Sequence, residues 1–290
     1  MKNENDLNIC RKNLYGTEKE LLCAAEKRAA HLYELTRCTV TDGANALSDA
    51  PSLFESITEQ IKRSDAADGT VYRRFAGKIT DAADKAGAAG FLYDTGYPDL
   101  TLSDFIHTLE REPERRGSIS YFKGPSTDTA FDVFARKLPQ PSIVYSHDFN
   151  SSCENVYYGK AEFCILPAIS GFYAAAEKYE LTGVDECFVT HGDTETRFVL
   201  FSGGLLSYRE DENLKAEIRI PRGGDLFSVL ISAELYGLVC EGVDSLLTDF
   251  GASDMITVSG AVKNVCRLLF FLYCMQINYG VTGVYKYENM

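Results

Sequence analysis

Ile119-Ser120-Tyr121-Phe122-Lys123-Gly124-Pro125-Ser126-Thr127 is the stretch at which the pattern of this chain changes. Ahead of it, apolar residues recur at helical spacing. From it onward, short apolar runs alternate with helical segments. Residues 119–122 read as a strand, and a Gly-Pro turn leads into a helix over 128–138. A strand at 142–145, a helix at 151–159 and a buried strand at 162–166 follow. This β-α-β-α-β alternation predicts a parallel sheet with right-handed crossovers. A helix over 171–181 comes next, with strands near 187–189 and 197–201.

On the C-terminal side, residues 217–287 read as β-α-β-β-α-β. Strands fit 217–220, 239–247, 254–259 and 280–287, and helices fit 226–235 and 261–275. That is the split βαβ order of a ferredoxin-like sandwich. On the N-terminal side, residues 6–86 carry a helical pattern. Leu7, Leu14, Leu21, Leu22, Ala25, Ala29 and Leu32 make an apolar stripe on a long first helix. A second helix fits 52–63, where Leu53, Ile57 and Ile61 recur every four residues, and an Ala-rich third fits 70–86. The charge run from Glu110 to Arg116 reads as a solvated linker.

A chain of 290 residues is long enough for two or three domains. Its apolar content of 45% and charged content of 24% are those of a globular protein. The formal net charge of −13 argues against nonspecific nucleic-acid partners and anionic membrane surfaces. An anionic ligand must then be held by a few local cations. Nine cysteines are scattered without a Cys-x-x-Cys pair, and several lie in apolar runs, which predicts reduced core thiols and a cytoplasmic setting. No histidine has a partner at metal-ligand spacing, so no metal and no cofactor are expected. The first residues lack the apolar segment of a signal peptide, and the longest apolar run, 268–275, is far too short to span a bilayer.

Four motifs fall in one order: a strand followed by Gly124-Pro125, Leu166-Pro167 at a strand end, Thr196-Arg197-Phe198, and Gly224-Asp225-Leu226-Phe227-Ser228-Val229-Leu230. In that order they resemble the bifunctional chorismate mutase–prephenate dehydratase family (the P-protein family) with its C-terminal ACT regulatory domain. The opening, Leu7-x3-Arg11-x2-Leu14 with Leu21-Leu22 and Arg28, resembles the helical chorismate mutase that precedes the dehydratase in such chains. The resemblance implies an α/β and α+β multidomain chain. It would hold a mutase-like helical domain at 1–87, a linker at 88–117, an α/β lobe of periplasmic-binding-protein-like dehydratase fold at 118–208, and a ferredoxin-like ACT domain at 209–290.

It also implies where the sites lie. Arg11 and Arg28 match the mutase's carboxylate-binding arginines. They are 17 residues apart, roughly 25 Å along a helix, so a shared site needs an antiparallel partner helix and hence a homo-oligomer. Thr196 and Arg197 match the dehydratase positions that assist loss of hydroxide and bind a substrate carboxylate. Gly124, Ser126, Thr127 and Ser170 match its anion-holding turns. Gly224, Asp225 and Leu226 match the turn where ACT domains bind an amino acid. The ligand implied is a prephenate-like dianion, or phenylalanine or tyrosine.

The chain departs from the family in ways that bear on activity. The mutase Lys position is Thr39, its Arg-Glu pair reads Pro51-Ser52, and the dehydratase Glu-Asn-Ser reads Ala168-Ile169-Ser170. The second lobe that the family inserts between Leu-Pro and Thr-Arg-Phe is reduced here to residues 168–195. These losses predict a degenerate, catalytically impaired relative with a binding or regulatory role linked to phenylalanine biosynthesis. The alternative is an active dehydratase or mutase that completes its site across subunits. For Phe198 the expectation is a contact with the helix that carries Tyr173 to Tyr179.

Overall fold

The computed structural model describes residues 69–106, 117–192, 194–205, 208–209, 212–222, 226–248 and 251–286. Arg11, Arg28, Gly224 and Asp225 lie outside these residues, as does the side chain of Ser170. The described residues up to Asp99, together with Phe227–Tyr236, form one compact unit, and the rest form a second.

The first unit contains helix α1 (Gly69–Gly96) and helix α6 (Leu226–Leu235). Ile79, Ala82 and Ala83 of α1 pack with Ile231 of α6, flanked by Phe227 and Leu235. Small alanines let the two helices approach closely, and Tyr236 closes the contact by donating its hydroxyl to the Ala86 carbonyl at 2.7 Å. Composition suggests a linker from residue 88, but α1 continues through those residues to Gly96. Buried Ala89 and Tyr93 extend its apolar stripe, and Phe91 is buried on the other side of the helix.

Among the described residues of the second unit, a short helix α2 (Leu102–Phe105) precedes nine strands that form one sheet, in the order β2-β1-β3-β5-β4-β9-β6-β8-β7. Strands β1 (Ser118–Phe122), β2 (Ser142–Ser146) and β3 (Phe163–Pro167) are parallel, joined by helices α3 (Pro125–Ala135) and α4 (Phe149–Tyr157). Every residue of β3 is buried, as expected of a parallel strand covered on both faces. Phe163 and Ile165 meet Phe134 and Ala130 of α3. Cys164 and Leu166 meet Cys153 and Val156 of α4 and Tyr173 of helix α5 (Ser170–Lys178).

Among the described residues, 168–195 supply α5, strand β4 (Thr182–His191) and the start of strand β5 (Thr194–Ser202), which pairs with β4. β5 then runs antiparallel to β3. Here the structure corrects the expectation for Phe198. Successive side chains on a strand point to opposite faces. Val199 and Phe201 join the cluster of α5, while Phe198 and Leu200 join the cluster of α3 on the other face.

Strands β6 (Asn213–Pro221), β7 (Val239–Thr248), β8 (Gly251–Ala261) and β9 (Gly280–Lys286) complete the sheet. β8 lies between β6 and β7, and β6 lies between β8 and β9. With α6 linking β6 to β7, and helix α7 (Val262–Cys274) linking β8 to β9, these are two interleaved split βαβ units. The two halves of the sheet meet where β4 runs parallel to β9, at the pair Gly183–Gly283. The six described cysteines carry free thiols, and Cys153, Cys164, Cys187 and Cys266 are buried.

Candidate functional site

The topology brings the dehydratase-like motifs to one place. Gly124 caps α3 beyond the end of β1, Pro167 ends β3, and the Arg197 carbonyl accepts the Ala168 N–H at 2.8 Å. All sit at the carboxyl edge of the parallel strands, where chain order reverses about β1. This edge is the general ligand-binding position of open α/β sheets. An aromatic row that the motif reading passed over lines it. Phe122, Phe149 and Phe172 each follow or end a strand, with ring centroids 5.5 and 4.6 Å apart. The clue in the sequence was an aromatic residue at each strand-to-helix junction.

The side chains do not converge there. Thr127 donates its hydroxyl to the Phe122 carbonyl at 2.7 Å and the Gly124 carbonyl at 3.0 Å, so it closes its own turn. Gly124 caps through its backbone, with its carbonyl accepting Asp128 N–H at 2.8 Å, and Ser126 lies half-buried in the first turn of α3. Leu226 is half-buried at the start of α6. Thr196 and Arg197 are neighbours on β5 and therefore address opposite faces. Thr196 shares the face of Phe198 and α3. Arg197 shares the face of Tyr173 and α5.

Arg197 is engaged within the protein. Its Nε donates to Glu186 Oε2 at 2.6 Å, and its Nη1 donates to the Tyr173 hydroxyl at 3.3 Å. Nη2 lies 2.6 Å from both Glu186 Oε2 and Glu217 Oε1, and its N–H groups are aimed at neither, so that attraction is Coulombic. Glu217 is 1% exposed, and its other oxygen accepts hydroxyls from Tyr285 at 2.9 Å and Tyr173 at 3.1 Å. Lys215 pairs with the second oxygen of Glu186 and lies over the Tyr285 ring. Two carboxylates and two cations thus form a closed, neutral group. Burial works against the Arg197 charge, but Glu217, Tyr285, Tyr173 and Glu186 together outweigh it and hold its proton more firmly than usual. Burial, with Glu217 adjacent, pushes the Tyr173 and Tyr285 hydroxyls up.

Next to this group, a cavity of ≈ 390 Å³ opens between α5, β6 and β9, with Tyr173 and Thr282 lining it. Its charged lining residues are Glu177, Glu180 and Arg219. Sequence reading singled out none of them, since single charges on a helix and on strands carry no motif.

No protein-family model matches the chain, and no curated protein does. Among solved structures, the chain is similar to prephenate dehydratase from Streptococcus mutans, at 20% identity and a TM-score of 0.45, covering 59% of this chain and 98% of that one. It is similar to prephenate dehydratase from Arthrobacter aurescens in complex with L-Phe, at 15% identity and a TM-score of 0.46, covering 59% and 90%. It is also similar to the quorum quenching acylase GqqA, at 19% identity and a TM-score of 0.44, covering 60% and 96%. Among the described residues, no helix is long and apolar enough to cross a membrane.

Proposed function

We propose that this chain is a non-catalytic relative of the chorismate mutase–prephenate dehydratase family. It would act as a cytoplasmic, homo-oligomeric binding or regulatory protein linked to phenylalanine biosynthesis. One observation carries the reading. Arg197, which should meet a substrate carboxylate, is held by Glu186 and Glu217, and Thr196 faces away from it. Dehydration of prephenate needs a proton donor and a carboxylate anchor on one ligand, in a site closed to water. The described residues of 168–195 form one helix, one strand and the start of β5, which supply no facing lobe. The split βαβ strand order of β6 to β9 supports the ACT-like part of the reading.

The test is to assay the purified chain with prephenate and with chorismate, and to measure its mass by light scattering across concentration. No phenylpyruvate, no chorismate rearrangement and a dimer or larger assembly are expected. Conversion of prephenate that Thr196→Ala abolishes without unfolding the protein would refute the reading. It would favour an active enzyme that completes its cleft with a second subunit.

A further inference from the structure

We infer that the open edge of strand β2 is a self-pairing surface, where two copies of this chain join their sheets antiparallel about a two-fold axis at Val144. β2 stands at one end of the strand order, so β1 is its neighbour on one side, and among the described residues the other side is unpaired. Residues 142–146 read Ser-Ile-Val-Tyr-Ser, uncharged and nearly the same in either direction.

Backbone geometry decides which groups face that edge. The Ser142 N–H donates to the Gly117 carbonyl at 3.2 Å, so residue 142 turns its backbone groups toward β1. Along a strand these groups alternate in direction. Val144 and Ser146 therefore address β1 as well, and Ile143 and Tyr145 present their N–H and C=O groups to the open side. An antiparallel copy centred on Val144 sets Ile143 opposite the partner's Tyr145, and Tyr145 opposite the partner's Ile143. Both become hydrogen-bonded pairs, in which the facing residues exchange N–H···O bonds.

The side chains agree with the backbone. Ile143 and Tyr145 share one face of the strand, and they are 42% and 57% exposed. Tyr145 is steadied on its own sheet, edge-on to the Tyr121 ring at 5.6 Å, with Lys123 Nζ 5.5 Å from its centre. An aromatic ring opposite a β-branched side chain is a favourable cross-strand pair, and the two-fold makes it twice. Carried past the strand, the same register sets Gln140 opposite Asp148, so no acid meets an acid. That suits a chain of net charge −13, whose copies repel one another in general.

The opposite edge of the sheet is blunted in the manner of protected edge strands. β7 has a register shift between Cys240 and Gly242, and it exposes Glu241 and Asp244. β2 pairs with β1 without a shift and carries no charge. Five residues a side are few beside a standard interface, so the pairing should depend on concentration.

The inference rests on the homo-oligomeric reading and gives it a contact. Its test is sedimentation equilibrium of the full chain and of two double variants. Ile143→Lys with Tyr145→Lys sets lysine opposite lysine twice and should raise the dissociation constant about tenfold or more. Ile143→Glu with Tyr145→Lys sets glutamate opposite lysine twice and should restore assembly toward that of the wild type. Val144→Cys brings two thiols together across the axis, at the ~4.5 Å Cα separation of a non-hydrogen-bonded pair, which a disulfide can span. Mild oxidation should yield a peptide joining residue 144 to residue 144. Ser142→Cys, which falls opposite residue 146, should not link to itself. If the lysine variant does not fold, the Val144→Cys cross-link decides. A wild-type monomer at every concentration overturns both the homo-oligomeric reading and this contact. An oligomer that is unchanged in the folded lysine variant, that does not recover with the charge swap, or that forms no 144–144 link overturns the contact alone.

Discussion

Nη2 of Arg197 stands 2.6 Å from Oε1 of Glu217, joining a cation on β5 to a buried carboxylate on β6, 20 residues on. Taking two charges out of water is costly, and here the cost is offset by Glu186, Lys215 and two tyrosine hydroxyls gathered around them. Removing one member leaves the others uncompensated.

Arg197→Ala should therefore destabilise the protein by about 3–5 kcal/mol, the usual cost of breaking a buried pair. Thr196→Ala should change stability by no more than about 0.5 kcal/mol, as for a partly exposed site outside any network. Urea denaturation of both variants decides. Equal, small effects would mean that the charge group does not anchor the fold.

Alkaline pH should attack the same group. The folded-state pKa values of Tyr173 and Tyr285 are raised above the ordinary 10.0, first by burial. A raised folded pKa gives stability that is complete below the unfolded value and is lost as pH climbs toward the folded one. Phenolate absorbance should rise in two stages. The later stage, from Tyr173 and Tyr285, should coincide with loss of the fold. A single reversible step with the fold intact would contradict this.

The β4–β9 seam is sterically tight. A Cβ built on Gly183 would lie 2.6 Å from the Tyr285 hydroxyl and 2.8 Å from Val199 Cγ1. Gly183→Ala should cost about 1–3 kcal/mol by overpacking. Gly242→Ala, where a Cβ meets nothing within 4 Å, should cost none of this. Thermal melts of the pair provide the comparison.

Asp148 caps α4 by accepting the Ser151 N–H at 2.6 Å, and that bond holds its carboxyl below the usual range. A depressed folded pKa gives stability that is present above the unfolded value and is lost as pH falls through the folded one. Asp148→Ala should lower the melting temperature at pH 7 and show a shallower loss between pH 5 and 3 than the wild type.

The elements after Gly117 were legible because each carries its own period. The helix over 226–235 was read at its observed bounds, and the helices over 151–159 and 261–275 fall within two residues of α4 and α7. The extent of α1 was less legible, because Gly87, Gly90 and Gly96 look like breakers when nothing shows what they pack against. Gly90 in fact lies against the Tyr236 ring, where a Cβ would come within 3.2 Å. The chemistry at the site was least legible. Whether Arg197 meets a ligand or a protein carboxylate depends on Glu186 and Glu217, 11 and 20 residues away. Alternation along β5 could have told that Thr196 and Arg197 part company. It could not tell which face held the acids.

Strand β9 is the latest of the nine to leave a ribosome, yet it is flanked by β4 on one side and β6 on the other. Until it emerges, both of those strands present open edges, and open edges invite pairing with other chains. Nascent chains halted before residue 280 should thus be the aggregation-prone species in synthesis, and a chaperone that shields strand edges would matter most during that interval.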